Sequence, residues 1–538
     1  MPWKGGGETQ SKDLGGSVAI RFSPPPALPP RRAPDSVCAK TFHPMKIPRP
    51  LLALPLFALT ALAAPGDWPQ WRGPNRDGVS AETGLLKEWP AGGPPLAWKI
   101  SGLGQGFSSV AIVGGKIFTM AGRKDGQYVV ALDLATQKEL WAAKVGDKND
   151  EPRCTPTVAD GLVYAISTDG DLACVEAEGG REVWRKNFER DFGGRMMSGW
   201  HYSESPLVDG EKVIVTPGGK DAALVALNKK TGALIWKTEL PDLGSKGGDG
   251  AGYTGAVISN AAGVRQYVQL LGRGIVSVAA GDGKLLWFYN RIANGTANIP
   301  TPLAWDDYVF CSTGYGAGAA LLKITEPSTA MQISPEMISD LTKKLAELNA
   351  DLAQRRAARE KTTRDTPEYT QADAAVQALK PKLALFEDKL SQLTAPVALS
   401  HVHGSPVEAQ EQYFLNASTF QNHHGGMIRL GDYIYAGTGH NNGFPICLEW
   451  KTGKVVWNKD RGPGAESAAV VAADGNLYFR YQNAVMALIE ATPDGYHEKG
   501  AFPLASHNGN SWSHPVIHGG RLYLRDQDVL LCYDLRKN

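Results

Sequence analysis

CLEWKTGKVVW, residues Cys447–Trp457, reads as two short strands around a tight turn. Its first position is small, its third acidic or amide in most copies, its sixth and seventh a Thr-Gly or similar turn, and its eleventh Trp. The same spacing returns in ALDLATQKELW ending at Trp141, CVEAEGGREVW at Trp184, ALNKKTGALIW at Trp236 and SVAAGDGKLLW at Trp287. Glycine at position seven supplies the positive φ that a tight turn needs, and the alternation on either side suits pleated strands. The closing Trp is expected to lie flat between neighbouring sheets. The closing Trp residues from Trp141 to Trp287 stand 43, 52 and 51 residues apart, and a period of about 40 to 50 residues is that of propeller blades built from four short strands.

Blade one is expected over about residues 108–145, blade two over 155–188, blade three over 205–240 and blade four over 254–292. Blade five opens at IPTPLAWDDYVFCSTG and loses its motif after AALLKI. Blade six, 424–459, regains it; blade seven keeps strands but lacks the Trp; blade eight opens at SHPVIHGGRLYLRD. Trp98 has no turn motif before it, while the C-terminal VLLCYDLRKN begins the motif at Cys532 and stops before its Trp. The two halves complete each other, so Leu96–Ile100 is predicted to pair with Val529–Asp534. That pairing closes the ring and removes exposed sheet edges. The expected fold is all-β, an eight-bladed propeller over 94–538 with N- to C-terminal strand closure. Its expected blade-docking residues are Trp98, Trp141, Trp184, Trp236, Trp287 and Trp457.

Residues 334–394 change period. Ile338, Leu341, Leu345, Leu348 and Leu352, then Val376, Leu379, Leu383, Phe386, Leu390 and Leu393, recur at three and four, a heptad seam on two helices. An antiparallel helical hairpin about 40 Å long is predicted within blade five, with Pro381 kinking its second helix. It reads as a decorative arm or as a docking arm for a partner.

From residue 68 onward the motif resembles the pyrroloquinoline quinone (PQQ) type propeller family, whose blades carry A-x-D-x-x-T-G-x-x-x-W. The resemblance implies either a quinoprotein dehydrogenase or a non-catalytic relative such as the outer-membrane assembly lipoproteins. A dehydrogenase of this kind implies a calcium held by a carboxylate and an amide, an Asp base, a stacking Trp and commonly a disulfide between adjacent Cys residues. Glu204, Asn298 and Trp512 stand where three of those roles could fall. The six Cys include no adjacent pair, and there is no C-x-x-C-H for covalent haem.

With Lys+Arg 56 against Asp+Glu 55, the chain offers no basic field for nucleic acid. Residues 1–44 lack periodicity and read as a disordered extension upstream of the true start at Met45. Met45 to Ala63 has the form of a secretory signal peptide: Lys46 and Arg49, an apolar run too short to span a bilayer, and a small-residue site. The expected product is exported, periplasmic or extracellular, starts near Ala64, and has no membrane span. Residues 64–93, including WPQWRGPNRDG, read as an ordered lead-in packed on the propeller. Cys154, Cys174, Cys311, Cys447 and Cys532 read as buried thiols.

In a propeller the loops entering the innermost strands converge on one channel mouth. That gathers Ser108, Ser109, Arg153, Cys154, His201, Glu204, Tyr253, Thr254, Asn298, His423, His424, Glu466, Ser467, Trp512 and His514 on one rim. Four of the 11 His lie there, without the local spacing of a metal motif. The rim is the expected site for a small molecule or protein partner. Two readings stand: a binding scaffold, or a PQQ- and calcium-dependent oxidoreductase acting on an alcohol or sugar.

Overall fold

The computed structural model describes residues 66–327, 335–386, 402–507 and 509–537. The extension, the leader and Cys38 lie outside them. Eight sheets form the propeller, seven of four strands and one of five. In blades one to six each sheet is a sequential antiparallel meander, such as Ala111–Val113, Lys116–Arg123, Gly126–Asp133 and Glu139–Gly146 in blade one. Ring closure occurs as expected: Leu96–Ile100 pairs antiparallel with Val529–Asp534, with Trp98 opposite Cys532 and Ile100 opposite Leu530. Among the described residues no helix is long and apolar enough to cross a membrane.

The Trp repeat is the joint between blades. Trp141, Trp184 and Trp457 each donate the indole N–H to a carbonyl of the following blade, at Ala177, Lys229 and Thr492, at 2.9–3.1 Å. Each ring of Trp141, Trp184 and Trp236 lies on the position-seven glycine of the next blade, Gly180, Gly232 and Gly283. At Gly232 φ is +69° and an added Cβ would stand 2.8 Å from the Trp184 ring. Gly232→Ala is therefore expected to destabilise the chain by about 2–4 kcal/mol, through left-handed strain and displacement of the ring; a thermal transition matching the parent would remove this explanation of the repeat.

Where the motif fails in sequence, another aromatic fills its place. Tyr413 on the outer strand of blade five lies on Gly453 and bonds the Trp450 carbonyl at 2.8 Å. Phe502 takes the ring's place in blade seven, lying on Gly93, the turn glycine brought from the N-terminal side, its ring having no hydrogen bond of its own. Trp287 departs from the pattern: its N–H bonds Gln266 Oε1 within its own blade at 2.7 Å, because the turn it would meet in blade five is replaced by the hairpin.

The hairpin joins the third and fourth strands of blade five, Gly318–Thr325 and Glu408–Leu415. Its helices are Pro335–Glu360 and Pro367–Gln377, the second capped by Thr366. Helical pairing breaks at 378–379, immediately before Pro381, and resumes to 386. Leu352, Val376 and Leu379 form a small core with Leu348 and Leu383, and Arg359 pairs with Asp373 at 2.8 Å. Leu390 and Leu393 lie outside the described residues. Because the hairpin holds its own core at a strand connection, deleting 334–394 is expected to leave the main thermal transition in place. Loss of that transition would make the hairpin part of the propeller core.

The lead-in goes further than lying on the propeller. Val79–Ser80 is a fifth strand, parallel to the innermost strand of blade seven. Residues 68–80 enter the central channel as a loop and touch all eight blades. Trp68 bridges Ile112 of blade one and the Pro69 carbonyl accepts from Val158 N of blade two. Arg76 reaches the carbonyls of Ser205 and Pro206 in blade three and of Ala256 in blade four. Trp71 bonds Thr301 at 3.2 Å, Arg72 the Met427 carbonyl at 2.6 Å, and Ser80 the Ile517 carbonyl of blade eight at 3.4 Å. Both ends of the loop emerge at the same face, where Gly66 meets His518 and Leu85 meets Asp474.

Candidate functional site

Within an antiparallel meander, connections alternate between the two ends of the blade. The loop entering the innermost strand therefore shares its end with the loop joining the second and third strands. These two loop sets form one open face, while the motif turns, the hairpin and the mouth through which the plug enters form the other. The channel is thus a cup, open at the rim and floored by the plug tip, Trp71 to Arg76.

A continuous row of rings crosses this cup. Phe107 lies 4.5 Å from Trp512, Trp512 5.0 Å from His424, His424 4.1 Å from His423 with the rings stacked, and His423 4.3 Å from His440. Tyr315 closes the row, 4.4 Å from His440. His423 is held at both nitrogens, by Ser467 Oγ at 2.6 Å and Tyr315 Oη at 3.0 Å. Beneath the row, His514 packs on Trp71 with centroids 4.2 Å apart, and its Nε2 approaches the His424 carbonyl at 3.4 Å. The loop carrying Trp512 and His514 is pinned by Arg480, which donates to the Ser513 carbonyl at 2.7 Å and pairs with buried Asp526 at 3.3 Å.

Burial keeps these imidazoles neutral. His423 is pushed down to about 4, with His440 adding to the effect of burial. His514 falls to about 3, with buried Arg72 next in weight, and His424 falls well below the usual range. Several buried donors at the cup have no hydrogen-bond partner among the described residues: Trp512 Nε1 and Arg72 Nη1, with His514 Nδ1 beside them, and Arg153 Nη1, which meets Asp150 as an ion pair at 3.6 Å. An unmet buried donor costs about 1–3 kcal/mol, so this cluster favours an acceptor arriving from outside. Non-glycine residues in the left-handed region also gather here: Arg72 and Arg76 on the plug, His201, Tyr315, His440 and Glu466 on the rim. Strain of this kind concentrates at binding sites.

The rim residues expected from the sequence divide into two groups. His423, His424, Trp512 and His514, with Ser467 and Ser109, come together; Ser109 Oγ donates to the His514 carbonyl at 2.7 Å. Arg153 sits at the edge, its guanidinium 6.0 Å above the Phe107 ring and its partner Asp150 at 3.6 Å. The second group is committed elsewhere. Glu204 is buried, accepts from Thr216 N at 2.6 Å, and is pushed up to about 7 by burial, opposed by Arg76. Asn298 spends its amide on the carbonyls of Leu271 and Gly272, at 2.8 and 2.9 Å, and its oxygen on Asn294. Tyr253 bonds Ser198 at 2.6 Å, and Glu466 is exposed. Arg195 is likewise committed, to Asp249 at 2.9 Å. Cys154 is a buried thiol pushed up to about 12, and the other four described Cys are likewise buried and free. Gly426 serves blade packing, since a Cβ would stand 2.4 Å from Val470 N.

His440, Tyr315 and the plug arginines were not legible as site residues. His440 and Tyr315 sit in second-to-third-strand loops, and tracing both loop sets to the same end would have found them.

Residues 95–352 match the family model described as outer membrane protein assembly factor BamB. A quinoprotein ethanol dehydrogenase from Pseudomonas aeruginosa is 30% identical over 115 residues, 21% of this chain and 17% of the relative. BamB from Salmonella typhimurium is 29% identical over 112 residues, 20% of this chain and 27% of the relative. The chain thus spans under a third of either curated relative. A solved quinohemoprotein alcohol dehydrogenase from Comamonas testosteroni superposes with TM-score 0.51 at 12% identity, covering 89% of this chain and 82% of that one, a likeness of fold.

Proposed function

We propose, from a propeller that belongs to the PQQ-like repeat family, that this chain is an exported binding scaffold whose rim cup holds a small molecule or a segment of a protein partner. The single observation that carries this reading is the row of rings from Phe107 to Tyr315, with the Trp512 and Arg72 donors unmet beside it. The cup presents flat apolar faces and N–H groups in one place, the combination that orients a bound ligand. Export rests on the leader-like Met45 to Ala63 and on relatives named as outer membrane assembly factors. The hairpin, on the opposite face, is available as a separate docking arm.

The residues present do not fit PQQ with calcium. Calcium requires several oxygen ligands converging on one point. Glu204 is turned to the Thr216 amide and Arg76, while Asn298 closes its own loop, so the carboxylate and amide that the oxidoreductase reading needs are both committed. Among the described residues no group of three or more His, Cys, Asp or Glu is arranged to hold a metal. Titrating the purified chain with PQQ and calcium, then adding an alcohol panel and a reducible dye, is expected to give neither calcium-dependent saturable binding nor dye reduction. Tight binding with turnover would establish the oxidoreductase instead.

A further inference from the structure

A second concavity lies on the open face between blades four and five, beside the Tyr315 end of the ring row. Its volume is about 460 Å³, and its lining includes Lys246, Arg291, Asn294, Tyr315, Phe414 and Asn416. No carboxylate lines it among the described residues. Arg291 lies on the Phe414 ring, 3.9 Å from its centroid, and pairs with Glu411 at 2.8 Å, a carboxylate already engaged by Tyr289. Lys246 is different. Its Nζ donates to the Arg291 carbonyl at 3.4 Å, and no ion pair engages it among the described residues. Partial burial and then the Arg291 charge hold its ammonium below the usual lysine range.

An ammonium beside a second cation, with two aromatic rings and no carboxylate in the lining, is an unfavourable arrangement in an empty groove. It becomes favourable when an anion enters, because the anion answers the Lys246 charge and its oxygens can accept from Lys246, while the rings cover an organic body. We propose that this groove is a second binding site, for a small organic anion bearing a carboxylate or phosphate group. Tyr315 connects it to the cup, since the same residue lines the groove and bonds His423 Nε2 at 3.0 Å. An occupant here therefore shares the Tyr315 side chain with the row without entering it.

Calorimetric titration of the purified full chain with inorganic phosphate and with citrate, at low and at high salt, tests this. Saturable binding of at least one anion is expected, weakened by salt, reduced about tenfold in Lys246→Gln and largely kept in Lys246→Arg. Binding of phosphate alone or of citrate alone identifies which group the groove accepts. Trp512→Ala, which alters the cup, is expected to leave this binding unchanged, so failure of the groove and failure of the cup are read separately. Lys246 is only partly buried, and an unchanged thermal transition confirms that Lys246→Gln is folded. No saturable binding of either anion, or equal binding by Lys246→Gln, overturns the proposal.

Discussion

Arg76→Ala is expected to lower stability by about 3–5 kcal/mol, the cost of removing one partner from a buried charged network. Arg76 is 3% exposed and donates to Gln70 Oε1, to the Ala256 carbonyl, and to the Ser205 and Pro206 carbonyls. Its loss strands acceptors on two blades and removes the positive charge that opposes the effect of burial on Glu204. Arg76→Lys keeps a charge but cannot reach the same acceptors with one ammonium, so an intermediate loss is expected. Urea unfolding of the three proteins measures this. Equal midpoints would mean that the plug merely occupies the channel and does not tie the ring together.

Acidification is expected to destabilise the chain by about 2 kcal/mol or more between pH 7 and pH 5, after two opposing contributions are set against each other. His423, His424 and His514 have folded values depressed below 6.5, so their contribution is present above that pH and is lost as pH falls toward their folded values. His423 and His514 each lose about 2 kcal/mol at pH 5, and His424 adds a loss of the same sign. Glu204 acts in the opposite sense. Its folded value is raised to about 7, so its contribution is present at low pH and is lost as pH rises through 7, and it offsets about 2 kcal/mol over the same interval. The three imidazoles win. Glu204→Gln removes the offset and is expected to steepen the acid loss, whereas His514→Gln is expected to flatten it. A stability that is level or rising from pH 7 to pH 5 would show that the imidazoles are not held neutral.

The repeat was legible because blade docking demands a flat aromatic and a left-handed glycine at fixed spacing, as at Trp184 and Gly232. Ring closure was legible because each terminus carries half of that motif. Tyr413 and Phe502 escaped because the hairpin and the blade-seven turn disturb the spacing by which their positions would be counted. The plug escaped for a deeper reason. Arg72 and Arg76 are satisfied largely by backbone carbonyls on distant blades, and a carbonyl leaves no mark in sequence. Of the candidate site, the imidazoles of the entry loops were legible, while His440 and Tyr315 depend on which end of a meander a loop occupies. Glu204 and Asn298 had the right chemistry in the right loops, and only the structure shows their groups already spent on Thr216, Leu271 and Gly272.

The most direct measurement is the mass of whatever co-purifies with the chain, compared between the parent and Trp512→Ala by native mass spectrometry. If the rim cup is the binding surface, the parent carries an added mass that the variant loses, and that mass is not PQQ. An added mass equal to PQQ with calcium, or one carried equally by Trp512→Ala, would contradict the scaffold reading at this cup.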